Sequence, residues 1–439
     1  MVARTKARSF ARTAIALAAI GGLMTPTATV HAQDDGMSLI RDTEVEEIIR
    51  EEATPIFKAA GIVPENVQIH LIQTKEINAQ VAGGQQLWLF TGLIVKTKNP
   101  NELMGVIAHE AGHMAGGHLA RSDEGMRGAA ATYLATMGLG ILAALSGHGD
   151  AAAGLMYSSG YFAALNVAGY TRTQEASADQ AAAKYLEAAG YSGKGLVDFL
   201  DEGKYEEVFA NAKRDKYYQN HPISSQRVEA LEGVVRTKSN YNKVDTPEMM
   251  AKHAVMIAKL KGFTDYPQQV LVAYPETDTS FPARYARAIA AYRELKTDDA
   301  LKQIDGLIAD QPTNPYLYEL KGQVLYEAGR IKESEAPHRK SVELKPDAPL
   351  LQINLGQTLV AEEDNAKLDD AIDHLKKALA KADDEPMAWR LLSQCYDRKG
   401  EAGLARLAAA EQNFALGQLP AARDFAGRAR QLLTKDTPQ

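Results

Sequence analysis

The chain is nearly without cysteine: Cys395 is the only one in 439 residues. A single thiol excludes an intramolecular disulfide, and on a helical pattern it reads as a small buried side chain. With no cysteine near the N-terminus there is no acceptor for a lipoprotein anchor. Long hydrophobic runs are also missing, since the two most apolar stretches, near 14–24 and 128–145, are too short or too broken by glycine to read as spanning helices. Positive charge is in short supply. Lys and Arg number 49 against 56 Asp and Glu, for a formal charge of −7. No basic patch follows from such a balance, so a nucleic-acid partner is excluded on bulk charge.

What remains is the composition of a folded protein: 45% hydrophobic and 24% charged, close to globular averages. The length exceeds what one core usually organises, so two domains are expected. Arg4, Lys6, Arg8 and Arg12 precede a short apolar stretch, Pro26 and the small-residue site Val30-His31-Ala32. That order predicts a signal peptide over residues 1–32, cleavage after Ala32 and export to the periplasm. Losing those four basic residues takes the formal charge from −7 to −11.

Apolar positions Val45, Ile48, Ile49, Ile56 and Phe57 predict a helix from Thr43 to Ala60, ended by Gly61. Two strand candidates follow, 67–72 and 86–90, separated by Gly83-Gly84 and able to pair at the edge of a small sheet. A long helix is predicted from Asn101 to Ala120, and another begins near Thr173. The glycine-rich segment 128–145 reads better as a hairpin or helix covering a site than as a membrane dip, although a peripheral membrane contact there stays open. After a polar stretch the chain repeats. Gly322 and Gly356 are 34 residues apart, the tetratricopeptide period, with a third unit around Trp389, Tyr396 and Gly400 and a weaker one around Ala288 and Ala300. The expected organisation is a first domain at 33–236, which holds the candidate chemistry, and a helical linker at 237–280. A tetratricopeptide domain of about four repeats with a closing helix then occupies 281–439. The fold class is mainly α (α+β): a helical domain with a small sheet, followed by an α-solenoid.

The chemistry sits in His109-Glu110-Ala111-Gly112-His113. Two histidines four apart share one helix face and can share a zinc ion, and Glu110 beside them can take a proton from an attacking water. A catalytic zinc wants a third protein ligand. His118 lies five positions past His113, about 140° around a continuous helix, and is read as capping or packing. Glu175 and Asp179 are better candidates, because they lie four apart on an alanine-rich helix. One of the two can bind the metal while the other accepts the free ring N–H of a ligating histidine.

Several stretches carry a resemblance: Asn78-Ala79, Thr91-Gly92-Leu93, His109 to His113, Arg172 through Asp179, and His221-Pro222 with Arg227. They make the chain similar to the HtpX- and CAAX-protease-like family of zinc metalloproteases, in its exported members fused to tetratricopeptide repeats. The resemblance implies His109, His113 and Glu175 as zinc ligands, Glu110 as general base and Asp179 as the partner of a ligating histidine. It also implies that His221 and Arg227 approach the metal from the far side. An imidazole at 221 could steady an oxyanion, or could fill the open zinc position and hold the enzyme latent. The implied activity is that of a periplasmic endopeptidase acting on misfolded or stalled outer-membrane proteins, with the repeats docking substrate or the barrel assembly machinery. The competing expectation is a chaperone or scaffold for outer-membrane assembly whose zinc site stays mostly closed.

Overall fold

The structure, a computed structural model, describes residues 38–82, 84–118, 130–132, 134–137, 139, 171–209 and 221–433. The expected signal peptide and most of the 128–145 segment lie outside the described residues. Among the described residues no helix is long and apolar enough to cross a membrane.

Strand β1 (Ser38–Ile40) leads into helix α1 (Thr43–Ala59), which Asp42 starts by accepting a hydrogen bond from the Val45 N–H at 2.9 Å. One face of α1 buries Val45, Ile48, Ile49, Ala53, Ile56 and Phe57. Each large side chain there contributes about 1.5–3 kcal/mol of burial. Three further strands follow: β2 (Gln68–Gln73), β3 (Ala79–Ala82) and β4 (Gln86–Phe90), in the spatial order β1-β2-β4-β3. The two foreseen strands are neighbours. They run parallel, with Gln68 opposite Gln86 and Ile72 opposite Phe90. Two parallel strands cannot be joined by a tight turn. The connection between them therefore holds β3, which folds back antiparallel on β4 with Ala79 opposite Leu89 and takes the sheet's outer position. That strand was not foreseen, because its four small or polar residues show no alternation.

A short helix α2 (Thr91–Lys96) precedes α3 (Pro100–Gly116). Asn99 caps α3, accepting from the Glu102 N–H at 2.9 Å, and Glu102 in turn accepts from the Lys98 N–H at 2.8 Å. Every residue of α3 from Pro100 to His113 is buried, so this helix runs through the centre of its core rather than along a surface. Helix α4 (171–189), α5 (Lys194–Phe209) and α6 (Ser225–Val235) surround it.

Helix α7 (Pro247–Thr264) packs against α1 and α2 on one side and α9 (Phe281–Arg293) on the other, with α8 (Pro267–Ala273) between in sequence. From α9 onward the helices pair: α9 with α10 (Thr297–Asp310), α11 (Pro315–Glu327) with α12 (Ile331–Leu344), and α13 (Pro349–Ala361) with α14 (Leu368–Leu379). The last pair is α15 (Pro386–Arg398) with α16 (Ala402–Ala415), and α17 (Leu419–Leu432) follows it. The fold is thus mainly helical with one small sheet, and its second half is a helical-repeat array. Cys395 is buried on α15, where desolvation pushes its thiol up to about 11 and leaves it a packing residue.

Candidate metal centre

Gly112 decides how α3 meets α4. A Cβ on it would come within 2.9 Å of the Ala178 carbonyl oxygen and 3.0 Å of the Ala178 Cα, so only glycine lets the two helix backbones approach this closely. The contact brings Glu175 and Asp179 of α4 against His109 and His113 of α3. The third contribution comes from His221, four residues before α6 begins.

Four buried donors converge: His109 Nε2, His113 Nε2, a Glu175 carboxylate oxygen and His221 Nδ1, all within 4.8 Å of one another. His109 Nε2 lies 3.0 Å from His113 Nε2, 3.2 Å from His221 Nδ1 and 3.3 Å from Glu175 Oε2. Glu175 Oε1 lies 3.3 Å from His113 Nε2 and 3.1 Å from His221 Nδ1. A tetrahedron with bonds of about 2.0–2.1 Å to its centre has edges of about 3.3 Å. The separations fit a four-coordinate cation of that size, with two neutral-capable imidazoles, a carboxylate and a third imidazole as donors.

Electrostatics point the same way. Burial opposes charge on His109, yet the carboxylates of Asp179 and Glu175 outweigh it and raise its pKa to about 9. Burial also opposes the Glu175 charge, but His109, His113 and His221 together hold that carboxylate far below the usual range. His113, with burial dominant, is pushed down. The pocket therefore holds a carboxylate anion and attracts positive charge, which a bound cation can supply in place of the proton on His109.

Asp179 stands behind the donors. Its Oδ1 is 3.0 Å from His109 Nδ1, and Arg227 donates to it from Nε at 2.6 Å and Nη2 at 2.9 Å. Desolvation works against the Asp179 charge, and Arg227 with His109 overcomes it to hold the pKa at about 2. Arg227 also reaches Glu175 Oε2 at 2.9 Å and donates to the Pro222 carbonyl at 3.2 Å. It braces both carboxylates and the loop that carries His221. Glu110 is 1% exposed, and its Oε1 makes no hydrogen bond, with His221 Nε2 3.4 Å away. A buried carboxylate oxygen left in this state marks a place for a polar guest beside the donors.

His118 stays outside the cluster of donors, as expected, but the helix ends earlier than its sequence suggests. Helix α3 stops at Gly117, which adopts φ 62°, so the continuous helix assumed through Ala120 does not exist at His118. The chain turns back there and His118 Nδ1 lies 3.0 Å from His113 Nδ1, supporting the far side of that ring. The pair Gly116-Gly117 was the available signal for this early stop.

A buried cluster of three histidines and a glutamate, with a further glutamate alongside and a helical-repeat array beyond, defines a metalloprotease. Residues 40–235 match the family described as Peptidase family M48. The chain is 25% identical over 380 residues to the beta-barrel assembly-enhancing protease of Yersinia pestis, covering 82% of this chain and 74% of that protein. The protein of the same name in Escherichia coli (strain K12) is also 25% identical, over 81% of this chain and 72% of its own length. The metalloprotease YcaL of that strain is 29% identical over 38% of this chain and 61% of its own. Among solved structures, the TPR protein YrrB covers 45% of this chain and 95% of its own at 18% identity, with a TM-score of 0.33.

Proposed function

We propose that the chain is a zinc-dependent endopeptidase of the bacterial periplasm that cleaves misfolded or stalled outer-membrane proteins. In this reading residues 1–32 are a cleaved leader, 33–236 the protease domain, 237–280 a helical linker and 281–439 the tetratricopeptide domain that docks substrate or assembly machinery. The observation that supports the zinc assignment is the convergence of His109, His113, Glu175 and His221, with one donor atom of each within 4.8 Å of the others. His109, His113 and Glu175 hold the metal, and Asp179 fixes the His109 ring. When bound, zinc supplies Lewis-acid polarisation of the scissile carbonyl and makes nearby water more acidic. Glu110 takes the proton of the attacking water on its free carboxylate oxygen and passes it to the leaving amine. Arg227 orients the two carboxylates of α4 and helps keep Asp179 ionised. Outer-membrane clients and envelope location rest on the names of the relatives and on the leader-like N-terminus.

With His221 as a fourth donor the enzyme is latent, and substrate carbonyl and His221 compete for the same position. This closure also favours the second reading, a chaperone or scaffold for outer-membrane assembly that works mainly through the repeats. A single pair of measurements separates the two. Glu110→Gln should abolish cleavage of an unfolded substrate and should fail to restore outer-membrane assembly in a deletion strain. Undiminished cleavage sinks the enzymatic claim, and full restoration by the variant makes scaffolding the main activity. Bound zinc, measured by metal analysis, should fall on Glu175→Gln.

A further inference from the structure

The turn from α16 to α17 repeats the backbone of the turn from α15 to α16 but not its chemistry. Gly400 and Gly417 close the two turns with φ 77° and 70°. Three residues and one residue before Gly400 stand the exposed, charged Asp397 and Lys399. The same places before Gly417 hold Phe414 and Leu416, 65% and 49% exposed. Two residues after each glycine come Ala402 and Leu419, the latter 56% exposed. No charged residue occurs between Gln412 and Ala422. The end of a repeat array ordinarily shows a polar outer face, because no further unit follows to cover an apolar one. Three large apolar side chains at the last tip therefore need another explanation.

The charge on α17 is also unlike that of the whole chain. Arg423, Arg428 and Arg430 stand against one acid, Asp424, in a chain of formal charge −7. Asp424 pairs with Arg428 at 2.7 Å. Among the described residues neither Arg423 nor Arg430 makes an ion pair. Leu419, Arg423, Ala426 and Arg430 follow one another at steps of four, three and four, so they form one ridge of the helix, and all four are exposed. The helix buries Ala422 and Ala429 on a different side. The apolar tip thus continues directly into a ridge that carries two unpaired guanidinium groups.

We propose that this closing hairpin docks on an anionic phospholipid bilayer. Phe414, Leu416 and Leu419 enter the boundary between headgroups and acyl chains, and Arg423 and Arg430 meet the lipid phosphates. Apolar side chains leave water at such a boundary, while planar guanidinium forks match phosphate oxygens. The sign of the charge selects this occupant. An anionic surface attracts the arginine ridge and repels the acidic remainder of the chain, so the molecule approaches by this end. A second copy of the chain is disfavoured, because a two-fold contact over the ridge would bring the arginines of both copies together. Three apolar side chains and two cations make a reversible attachment rather than a permanent anchor. The repeat array would then be tethered by its last hairpin, independently of the chemistry at the metal centre.

The test is sedimentation of the full chain with vesicles of phosphatidylethanolamine and phosphatidylglycerol, and with uncharged phosphatidylcholine vesicles. Binding should be about 25-fold weaker on the uncharged vesicles, at about fivefold for each arginine, and added salt should release the protein from the charged ones. Changing Phe414, Leu416 and Leu419 together to Ser, or Arg423 and Arg430 together to Gln, should each weaken binding by about tenfold or more. All five positions are exposed, so both variants should melt with the parent. A local probe needs neither variant. Cys395 is buried, so an environment-sensitive thiol dye reports from Leu416→Cys and should brighten on the charged vesicles. The same dye at Val272→Cys, a site on α8 that is 82% exposed, should not. Equal binding by the serine variant, equal binding to both kinds of vesicle, or no brightening at position 416 overturns the proposal. Self-association of the parent that the serine variant abolishes, with no vesicle binding, overturns it and gives the surface to a second copy.

Discussion

Replacing Asp179 with Asn probes how the metal site is held without touching a donor to the metal. The carboxylate has two jobs: Oδ1 faces His109 Nδ1 at 3.0 Å, and both oxygens receive the Arg227 fork at 2.6 and 2.9 Å. An Asn of the same shape has one oxygen and one NH2. Whichever way it turns, an NH2 faces a donor, either the His109 ring N–H or the Arg227 guanidinium, at a position that is 3% exposed. The His109 ring then loses its anchor and part of its basicity. Outer partners of this kind are worth about 10–100-fold in metal affinity, or about 1.4–2.7 kcal/mol at 1.36 kcal/mol per tenfold. Competition with a chromophoric chelator should show that loss of zinc affinity in the full chain. Because Asp179 does not reach the reacting atoms, kcat should recover most of the wild-type value once zinc is saturating. Wild-type zinc affinity in a well-folded variant, or a kcat that stays low at saturating zinc, refutes the positioning role.

Three further outcomes concern the frame around the site. Gly322→Ala places a Cβ about 2.2 Å from the His338 ring, so it should destabilise the repeats by about 1–3 kcal/mol in denaturant melts, although Gly to Ala inside a helix ordinarily stabilises by about 1 kcal/mol. Stabilisation would show that His338 simply moves aside. His253 and His338 are buried and held down to about 4, against an ordinary value of 6.5. A depressed folded pKa gives stability that is complete above pH 6.5 and drains away as pH falls toward 4, by up to about 3 kcal/mol per group. Melting temperature should therefore drop across that window, less steeply in His338→Gln, and an identical slope would remove His338 from the account. Lys259→Met leaves Asp42 and Glu44 unpaired where Nζ had lain 2.8 and 3.1 Å from them, and should cost about 3–5 kcal/mol, partly restored by adding Glu44→Gln. Additive losses in the double variant would argue against the pairing.

Much of the site was legible because its signals are local. Four-residue spacing on a helix brings His109 beside His113 and Glu175 beside Asp179, and alanines around the second pair announce close packing. Which carboxylate takes which place is a tertiary fact: the Gly112 contact with Ala178 sets the offset between α3 and α4, and no pattern within either helix contains it. The end of α3 was less legible. A helical wheel is valid only while the helix lasts, and the left-handed Gly117 ends it before His118, so the wheel angle does not describe where that ring lies. β3 escaped notice because a strand of two alanines, a glutamine and a valine carries almost no periodic signal. Its existence follows only from the parallel pairing of its neighbours.

The joint between catalytic and repeat regions combines apolar packing, with Ala258 of α7 against Ala286 and Ala290 of α9, with buried polar contacts. Lys259 of α7, 3% exposed, meets Asp42 and Glu44 at the start of α1, and the Tyr285 hydroxyl of α9 donates to Glu44 at 3.0 Å. Burial raises the Glu44 carboxyl while Lys259 opposes that rise. Arg41 pairs with Glu385 at the start of α15, and Glu47 takes Tyr316 and Lys345 from the repeats. Buried ion pairs add little net stability, because desolvation offsets attraction, but they fail sharply when misaligned. These contacts therefore fix how the array sits against α1 more than how strongly it is held. Arg41 and Asp42 also line the cleft that contains Gln323 and Gln357. That cleft opens beside the residues that start α1, whose buried face packs in the same core as α3.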